Sequence, residues 1–252
     1  MHLLLTNDDG IHAPGLAAMA AALHDLGDVT VVAPAAEQSG VGLSITYLHP
    51  LMVRQEYRDG RFLGHAVYGS PADCVKLGML EFCRPEPDLV VSGINSGSNV
   101  GINVLYSGTV AGAIEGAFFR KTSIAVSLGQ GTPPDYQAAA VYAVRVIRRL
   151  IETAPPAGSL WNLNLPDTTP DGPRGLKPTR MAVNRQYDRV EKRTDPRGRA
   201  YYWSGLDPLR NHAPEPGTDL YELTQGFATL TPLHFDLTQH DALAGLIRLE
   251  QP

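Results

Sequence analysis

The first two-thirds of the chain repeats one pattern: a short, continuous apolar run, a polar turn, then a stretch whose apolar positions recur at helical spacing. The opening case is Leu3-Leu4-Leu5-Thr6, which passes directly into Asn7-Asp8-Asp9-Gly10. Helical spacing follows over 14–26, where Leu16, Met19, Ala20 and Leu23 share a face and Pro14 suits a first-turn position. The same reading predicts strands over 29–33, 88–92, 123–128 and 160–165, and helices over 109–120 and 136–151. A strand pair is expected near 51–56 and 65–68. Ser70-Pro71-Ala72-Asp73 then opens a helix with a cap residue, a proline at the first position and an acid in the first turn. Apolar runs without alternation fit strands covered on both faces. The βαβα order predicts an α/β fold with a doubly wound, mostly parallel sheet.

The character changes after Pro166, where prolines and glycines crowd in. Residues 189–203 read as a long hairpin turning at Asp195-Pro196-Arg197-Gly198, with Tyr201, Tyr202 and Trp203 on its second limb. A strand over 227–231 and an amphipathic helix over 239–249 complete the chain. The expected division is a catalytic core, residues 1–166, and a C-terminal arm and tail, residues 167–252. An extended arm exposes strand edges and aromatics, and a second subunit is one way to cover them, so a homo-oligomer is expected. No internal repeat or low-complexity tract is present.

Composition narrows the classes. The 252 residues are 43% hydrophobic and 19% charged, an ordinary globular balance. A net charge of −5 argues against a surface that coats nucleic acid, though not against a small phosphorylated ligand. No signal-peptide pattern and no membrane-length apolar run occur. The two cysteines, Cys74 and Cys83, lack CxxC spacing and read as buried thiols of a cytoplasmic protein.

Four loops follow predicted strands and meet at the carboxyl edge of the sheet, where open α/β folds place their sites. In the first, Asp8 and Asp9 repel one another unless a hard divalent cation, Mg²⁺ or Mn²⁺, lies between them. In Glu37-Gln38-Ser39-Gly40 the Ser39 hydroxyl offers a neutral oxygen ligand or a hydrogen bond at that cation. The loop over 92–101 has two asparagines among three glycines, and Asn95 is the best candidate for a fourth, uncharged ligand. Tyr106-Ser107-Gly108-Thr109 precedes a helix, whose free N–H groups suit an anion. The candidate substrate contacts are Asn7, Gly40, Asn99, Ser107, Gly108 and Thr109. The chain contains no GxGxxG fingerprint, P-loop, GxSxG elbow or zincin histidine pair. His12 reads as structural or solvent-facing, and His234 is a weaker candidate that reaches a site only if the tail is swapped.

Taken together and in order, several segments resemble the SurE survival proteins, metal-dependent nucleoside monophosphate phosphatases. They are Thr-Asn-Asp-Asp-Gly-Ile at 6–11, Glu-Gln-Ser-Gly at 37–40, Gly-Ser-Pro-Ala-Asp-Cys-Val at 69–75 and Ser-Gly-Ile-Asn at 92–95. Tyr-Ser-Gly-Thr-Val-Ala at 106–111, Asp-Pro-Arg-Gly-Arg at 195–199 and Thr-Pro-Leu-His-Phe-Asp-Leu-Thr at 231–238 continue the match. Ser70 stands where threonine is usual and Gly112 where alanine is common; neither is a proposed ligand. The resemblance implies a Rossmann-like core whose hairpin and tail are exchanged in a dimer or tetramer. It also implies Asp8, Asp9, Ser39 and Asn95 as metal ligands. In the expected hydrolysis Asp8 or Asp9 accepts a proton. The expected substrates are nucleoside 5′-monophosphates, with the 3′ position and short polyphosphates left open. The rival from another class is a non-catalytic nucleotide-binding module on the same fold, and a hydrolase of other esters or amides is a second.

Overall fold

A computed structural model describes residues 1–130, 133–166, 172–183, 188–206 and 214–246. The elements in order are β1 (His2–Thr6), α1 (Pro14–Leu23), β2 (Asp28–Pro34), β3 (Val53–Arg58), β4 (Arg61–Val67) and α2 (Pro71–Leu77). Next come β5 (Leu89–Ser96), α3 (Gly108–Phe118), β6 (Thr122–Leu128), α4 (Tyr136–Glu152) and β7 (Leu160–Leu165). The remainder is β8 (Leu176–Pro178), β9 (Asp188–Thr194), β10 (Ala200–Leu206), α5 (Asp219–Thr224), β11 (Ala228–Leu233) and α6 (His240–Leu246).

Nine strands form one sheet in the order β3-β4-β2-β1-β5-β6-β7-β11-β8. From β4 to β7 every neighbouring pair is parallel. The edges add antiparallel pairs, β3 on β4 and β11 on β7, so the sheet is mixed and mostly parallel. β1 lies near the middle, with all four of Leu3, Leu4, Leu5 and Thr6 buried. Leu3 and Leu5 join the core cluster that contains Leu16, Met19 and Leu23 of α1 and Ala140, Val144 and Ile147 of α4. Leu4 points the other way, into the cluster with Cys74 and Val75 of α2. This is why the apolar run does not alternate: both faces of the strand are covered.

The expected elements are present with shifted ends. Ser70 caps α2 in a reciprocal capping box with Asp73, as the sequence suggested, and a π-helical turn (Gly78–Phe82) extends it. α1 ends three residues short of the expected 26. β5 runs beyond the expected residue 92 to Ser96, with a shift of register between Ser92 and Asn95. Asn95 therefore sits on a strand end paired with Ser127, not in a free loop. β8 and α5 went unpredicted. β8 is only three residues long, and its pairing with β11 comes from distant sequence. α5 does carry a local signal, the Thr218 cap, whose hydroxyl accepts from the Tyr221 N–H.

β8 and β11 come from beyond residue 166 yet belong to the main sheet, whereas β9 and β10 pair only with each other. The hairpin turns where expected: the Asp195 N–H donates to the Arg199 carbonyl and Gly198 to Asp195. Tyr201, Tyr202 and Trp203 are exposed on it. α6 has no buried residue, and positions 247–249 of the expected terminal helix lie outside the described residues. Cys74 and Cys83 are buried free thiols. Among the described residues no helix is long and apolar enough to cross a membrane.

Candidate active site

β1 ends at Thr6, and the chain turns at once through Asn7-Asp8-Asp9-Gly10. Asn7 ties the turn, its Nδ2 donating to the Gly10 carbonyl at 2.9 Å. Asp8 is almost enclosed, with 4% of its surface exposed, and Asp9 is half-buried. The loop after β2 closes over them: the Gln38 N–H donates to the Asp8 carbonyl at 2.8 Å, which places Ser39 on the next residue. Ser39 is exposed, and its hydroxyl donates to Glu37 Oε1 at 2.6 Å. From the other side, the Ser96 N–H donates to Asp9 Oδ2 at 3.0 Å, which puts Asn95 beside the pair. The Asn95 amide nitrogen is spent on the Gly97 carbonyl at 2.7 Å. Three strand ends thus bring Asp8, Asp9, Ser39 and Asn95 to one edge of the sheet.

The start of α3 completes the cluster. Glycines at 108, 112 and 116 lie four apart and form one face of that helix. A methyl group on Gly112 would stand 2.9 Å from Ser92 Oγ, and one on Gly116 would stand 2.5 Å from Ser123 Oγ. Lacking side chains there, the helix settles close on β5 and β6 and its first turn reaches Asp8. Thr109 Oγ1 donates to Asp8 Oδ1 at 2.7 Å. Ser107 caps the helix by accepting from the Val110 N–H at 3.1 Å, which leaves the hydroxyl's own proton uncommitted. Of the two hydroxyls expected to serve an anion, Thr109 is thus committed to Asp8 and Ser107 is not.

Asn99 stands behind Thr109. Its Nδ2 donates to Ser127 Oγ at 2.9 Å and to Thr109 Oγ1 at 3.3 Å, so both amide hydrogens are used inside the protein. Gly40 lies on the exposed loop with no atom near its Cα side. His12 is exposed and sits 3.4 Å from Glu56, in keeping with a solvent-facing role. His234 stacks on Phe235 and lines an apolar groove beside α3 with Phe118 and Leu160. Sequence reasoning did not single out Ser127, Asn162 or Asn164. The alternation Asn162-Leu163-Asn164 within a predicted buried strand was the available signal, since buried amides need partners.

The electrostatics are unbalanced. Burial, with Asp9 adding to it, lifts the Asp8 carboxyl to about 6, against hydrogen bonds from Thr109 that lower it. Burial also raises Asp9, with Glu37 contributing and the Ser96 N–H opposing. Among the described residues neither Asp8 nor Asp9 has an ion-pair partner. Adjacent, partly desolvated acids without a cationic side chain are the deficit that a divalent cation fills. No group of three or more His, Cys, Asp or Glu among the described residues could hold a metal. A cation here therefore takes two carboxylates and neutral oxygens, a donor set suited to Mg²⁺ or Mn²⁺ rather than zinc. Asn7 Oδ1, buried without a hydrogen-bond partner, is a further unmatched acceptor in the same turn.

The raised Asp8 makes a stability prediction with a definite sign. The folded, metal-free protein holds this proton more tightly than the unfolded chain. The resulting stability is fully present below the ordinary value of 3.8 and is lost as pH rises to about 6. The loss is up to roughly 3 kcal/mol. Asp8→Asn mimics the protonated form and is expected to melt higher than wild type in EDTA at pH 7.5, with the gap narrowing toward pH 4.5. Adding Mg²⁺ should raise wild type and leave the variant unmoved. Equal melting curves at pH 7.5 in EDTA would refute the assignment of an unbalanced charge at Asp8.

Comparison with known proteins bears on the family and the fold. A family profile described as Survival protein SurE matches residues 3–188. The chain is 54% identical to a 5′-nucleotidase SurE of Rhodopirellula baltica, over 97% of this chain and 96% of that protein. It is 44% identical to a 5′-nucleotidase SurE of Syntrophobacter fumaroxidans, over 96% of this chain and 97% of that one. Its fold superposes on the crystal structure of the SurE protein from Aquifex aeolicus with a TM-score of 0.86. The two are 37% identical, with 99% of this chain and 100% of that chain covered.

Proposed function

The chain belongs to the SurE family, and from that membership and its cluster of unpaired acids we propose that it is a divalent-metal-dependent phosphomonoesterase. Its substrates are nucleoside 5′-monophosphates, with 3′-monophosphates and short polyphosphates as further substrates of the same site. The observation that carries the reading is the juxtaposition of Asp8 and Asp9, which have no cationic partner among the described residues, with the first turn of α3. An acidic pair beside a phosphate site opposes anion binding unless a cation intervenes.

Asp8, Asp9, Ser39 and Asn95 are the residues that would hold Mg²⁺ or Mn²⁺. When bound, the cation supplies Lewis-acid polarisation of a phosphoryl oxygen and a water acidic enough to react near neutral pH. Thr109 fixes one Asp8 oxygen, and the Ser96 N–H fixes one Asp9 oxygen. One of the two carboxylates would take the proton from the attacking water. The Gly108 N–H and the Ser107 hydroxyl are oriented by the helix start to donate to the phosphoryl oxygens as charge builds on them. We place Gly40 beside the same substrate, with Asn7 and Asn99, whose amides are engaged by Gly10 and by Ser127 and Thr109, behind it. The exposed hairpin aromatics favour a homodimer or homotetramer in which the arm is exchanged, and the two free thiols favour the cytoplasm.

Phosphate release from a panel of nucleoside 5′- and 3′-monophosphates and tripolyphosphate, with acid release from a carboxylic ester measured alongside, tests the reading. Release from the nucleotides with Mg²⁺ or Mn²⁺, abolished by EDTA and restored by added metal, is the expected result. Nucleotide binding without release under any metal would leave a binding module instead.

A further inference from the structure

A polar cluster lies behind the site rather than in it. Ser127 of β6 and Asn162 and Asn164 of β7 are wholly buried, and the other buried positions of β7 are apolar. Asn164 grips the main chain of Asn99 at both ends. Its Oδ1 accepts from the Asn99 N–H at 2.8 Å, and its Nδ2 donates to the Asn99 carbonyl at 3.1 Å. Asn162 Nδ2 donates to that same carbonyl at 2.8 Å. Ser127 Oγ takes one hydrogen of the Asn99 side-chain amide, and Thr109 Oγ1 receives the other. Because Thr109 Oγ1 accepts from Asn99, its own proton is directed at Asp8 Oδ1. A continuous run of hydrogen bonds thus leads from the interior of the sheet to the Asp8 carboxylate.

Stability alone does not account for these amides. Burying one costs free energy unless every polar atom is matched, and Asn162 Oδ1 has no hydrogen-bond partner among the described residues. A leucine at 162, like Leu163 and Leu165 nearby, would carry no such cost. What the polar residues provide is a fixed position for Asn99, a residue at the end of a glycine-rich loop. We propose that Asn162, Asn164 and Ser127 are positioning residues that fix Asn99 and, through Asn99 and Thr109, the direction of the Asp8 carboxylate. The proposal rests on the reading of Asp8 as a metal ligand. Partners behind a ligand orient it, and their loss costs about 10- to 100-fold in metal affinity or rate.

A double-mutant cycle on the full chain separates positioning from general support of the fold. Mn²⁺ affinity, read from the free-ion EPR signal, and phosphate release from 5′-AMP are measured for wild type, Asn99→Ala, Asn164→Ala and the double variant. Each single change is expected to lower Mn²⁺ affinity or turnover about 10- to 100-fold. The double variant should be no worse than Asn99→Ala, because Asn164 acts through it. Additive losses, or single losses within twofold of wild type, would overturn the proposal. If Asn164→Ala does not fold, the same cycle with Ser127→Ala removes a single hydroxyl. A several-fold loss that vanishes in the Asn99→Ala background is then expected, and a loss that persists there refutes the relay. Failure of the functional reading looks different: wild type would bind Mn²⁺ with the cycle intact and release no phosphate. Wild type that binds no Mn²⁺ would overturn both.

Discussion

Replacing Asp9 by asparagine is expected to reduce metal-dependent phosphate release by more than about a hundredfold and to leave the fold intact. Loss of a mere supporting partner costs up to about that factor, and removing a charged ligand costs at least as much. Asparagine is close to isosteric and keeps an oxygen for the Ser96 N–H, which now reaches Asp9 Oδ2 at 3.0 Å. It also removes the Asp9 charge that, after burial, raises the Asp8 carboxyl, and with it the repulsion between Glu37 and Asp9. Melting in EDTA should therefore stay level or rise, while the stabilisation that Mg²⁺ gives wild type disappears. This pairing of lost metal response with undiminished stability sets a ligand apart from a structural residue. A fully active Asp9→Asn enzyme with unchanged metal dependence would remove Asp9 from the site.

The second large effect is on the frame rather than the chemistry. Gly15, in the first turn of α1, packs so tightly on β5 that an added methyl group would lie 2.1 Å from the Ile94 carbonyl oxygen. That atom is backbone, and it belongs to the residue before Asn95, so it cannot yield without moving a proposed ligand. Overpacking of this kind costs about 1–3 kcal/mol and sometimes more. Gly15→Ala is expected at the upper end, lowering the melting temperature by roughly 6–12 °C. The same shift should weaken Mg²⁺ binding through Asn95. Gly60→Ala is the control: its φ of 75° also disfavours a side chain, but no atom lies within 4 Å. Only the backbone cost of about 1–2 kcal/mol is expected there. Thermal melts with and without Mg²⁺ read both variants, and equal losses at the two positions would show that close packing at Gly15 is not the cause.

The candidate site was legible where local chemistry is enough to mark it. Asp8-Asp9 after an apolar strand, Ser39 after the next, and a cap at Ser107 each carry their signal within a few residues. The capping box at Ser70 and Asp73 was readable for the same reason, since both partners lie in one turn. The hairpin turn at residues 195–198 was visible in its Asp-Pro-Arg-Gly sequence. Local pattern also set the strand and helix rhythm, because a run buried on both faces has to be apolar throughout.

What the sequence could not supply were the long-range pairings. Asn95 belongs to the end of β5 because Ser127 of β6 pairs with it, and nothing near residue 95 announces a strand there. The division of labour between Ser107 and Thr109 depends on Asp8, a hundred positions earlier in the chain, accepting from the Thr109 hydroxyl. The glycine face of α3 acquires meaning only once β5 and β6 lie beneath it. Asn162 and Asn164 stand out in the sequence as amides in a buried strand, but their partner, the Asn99 main chain, is visible only in the tertiary structure. Composition and local spacing therefore determined the fold class and the residues that offer charge. Tertiary structure decided which of their oxygens and protons remain free, because a donor's direction is set by the partners that occupy its other bonds.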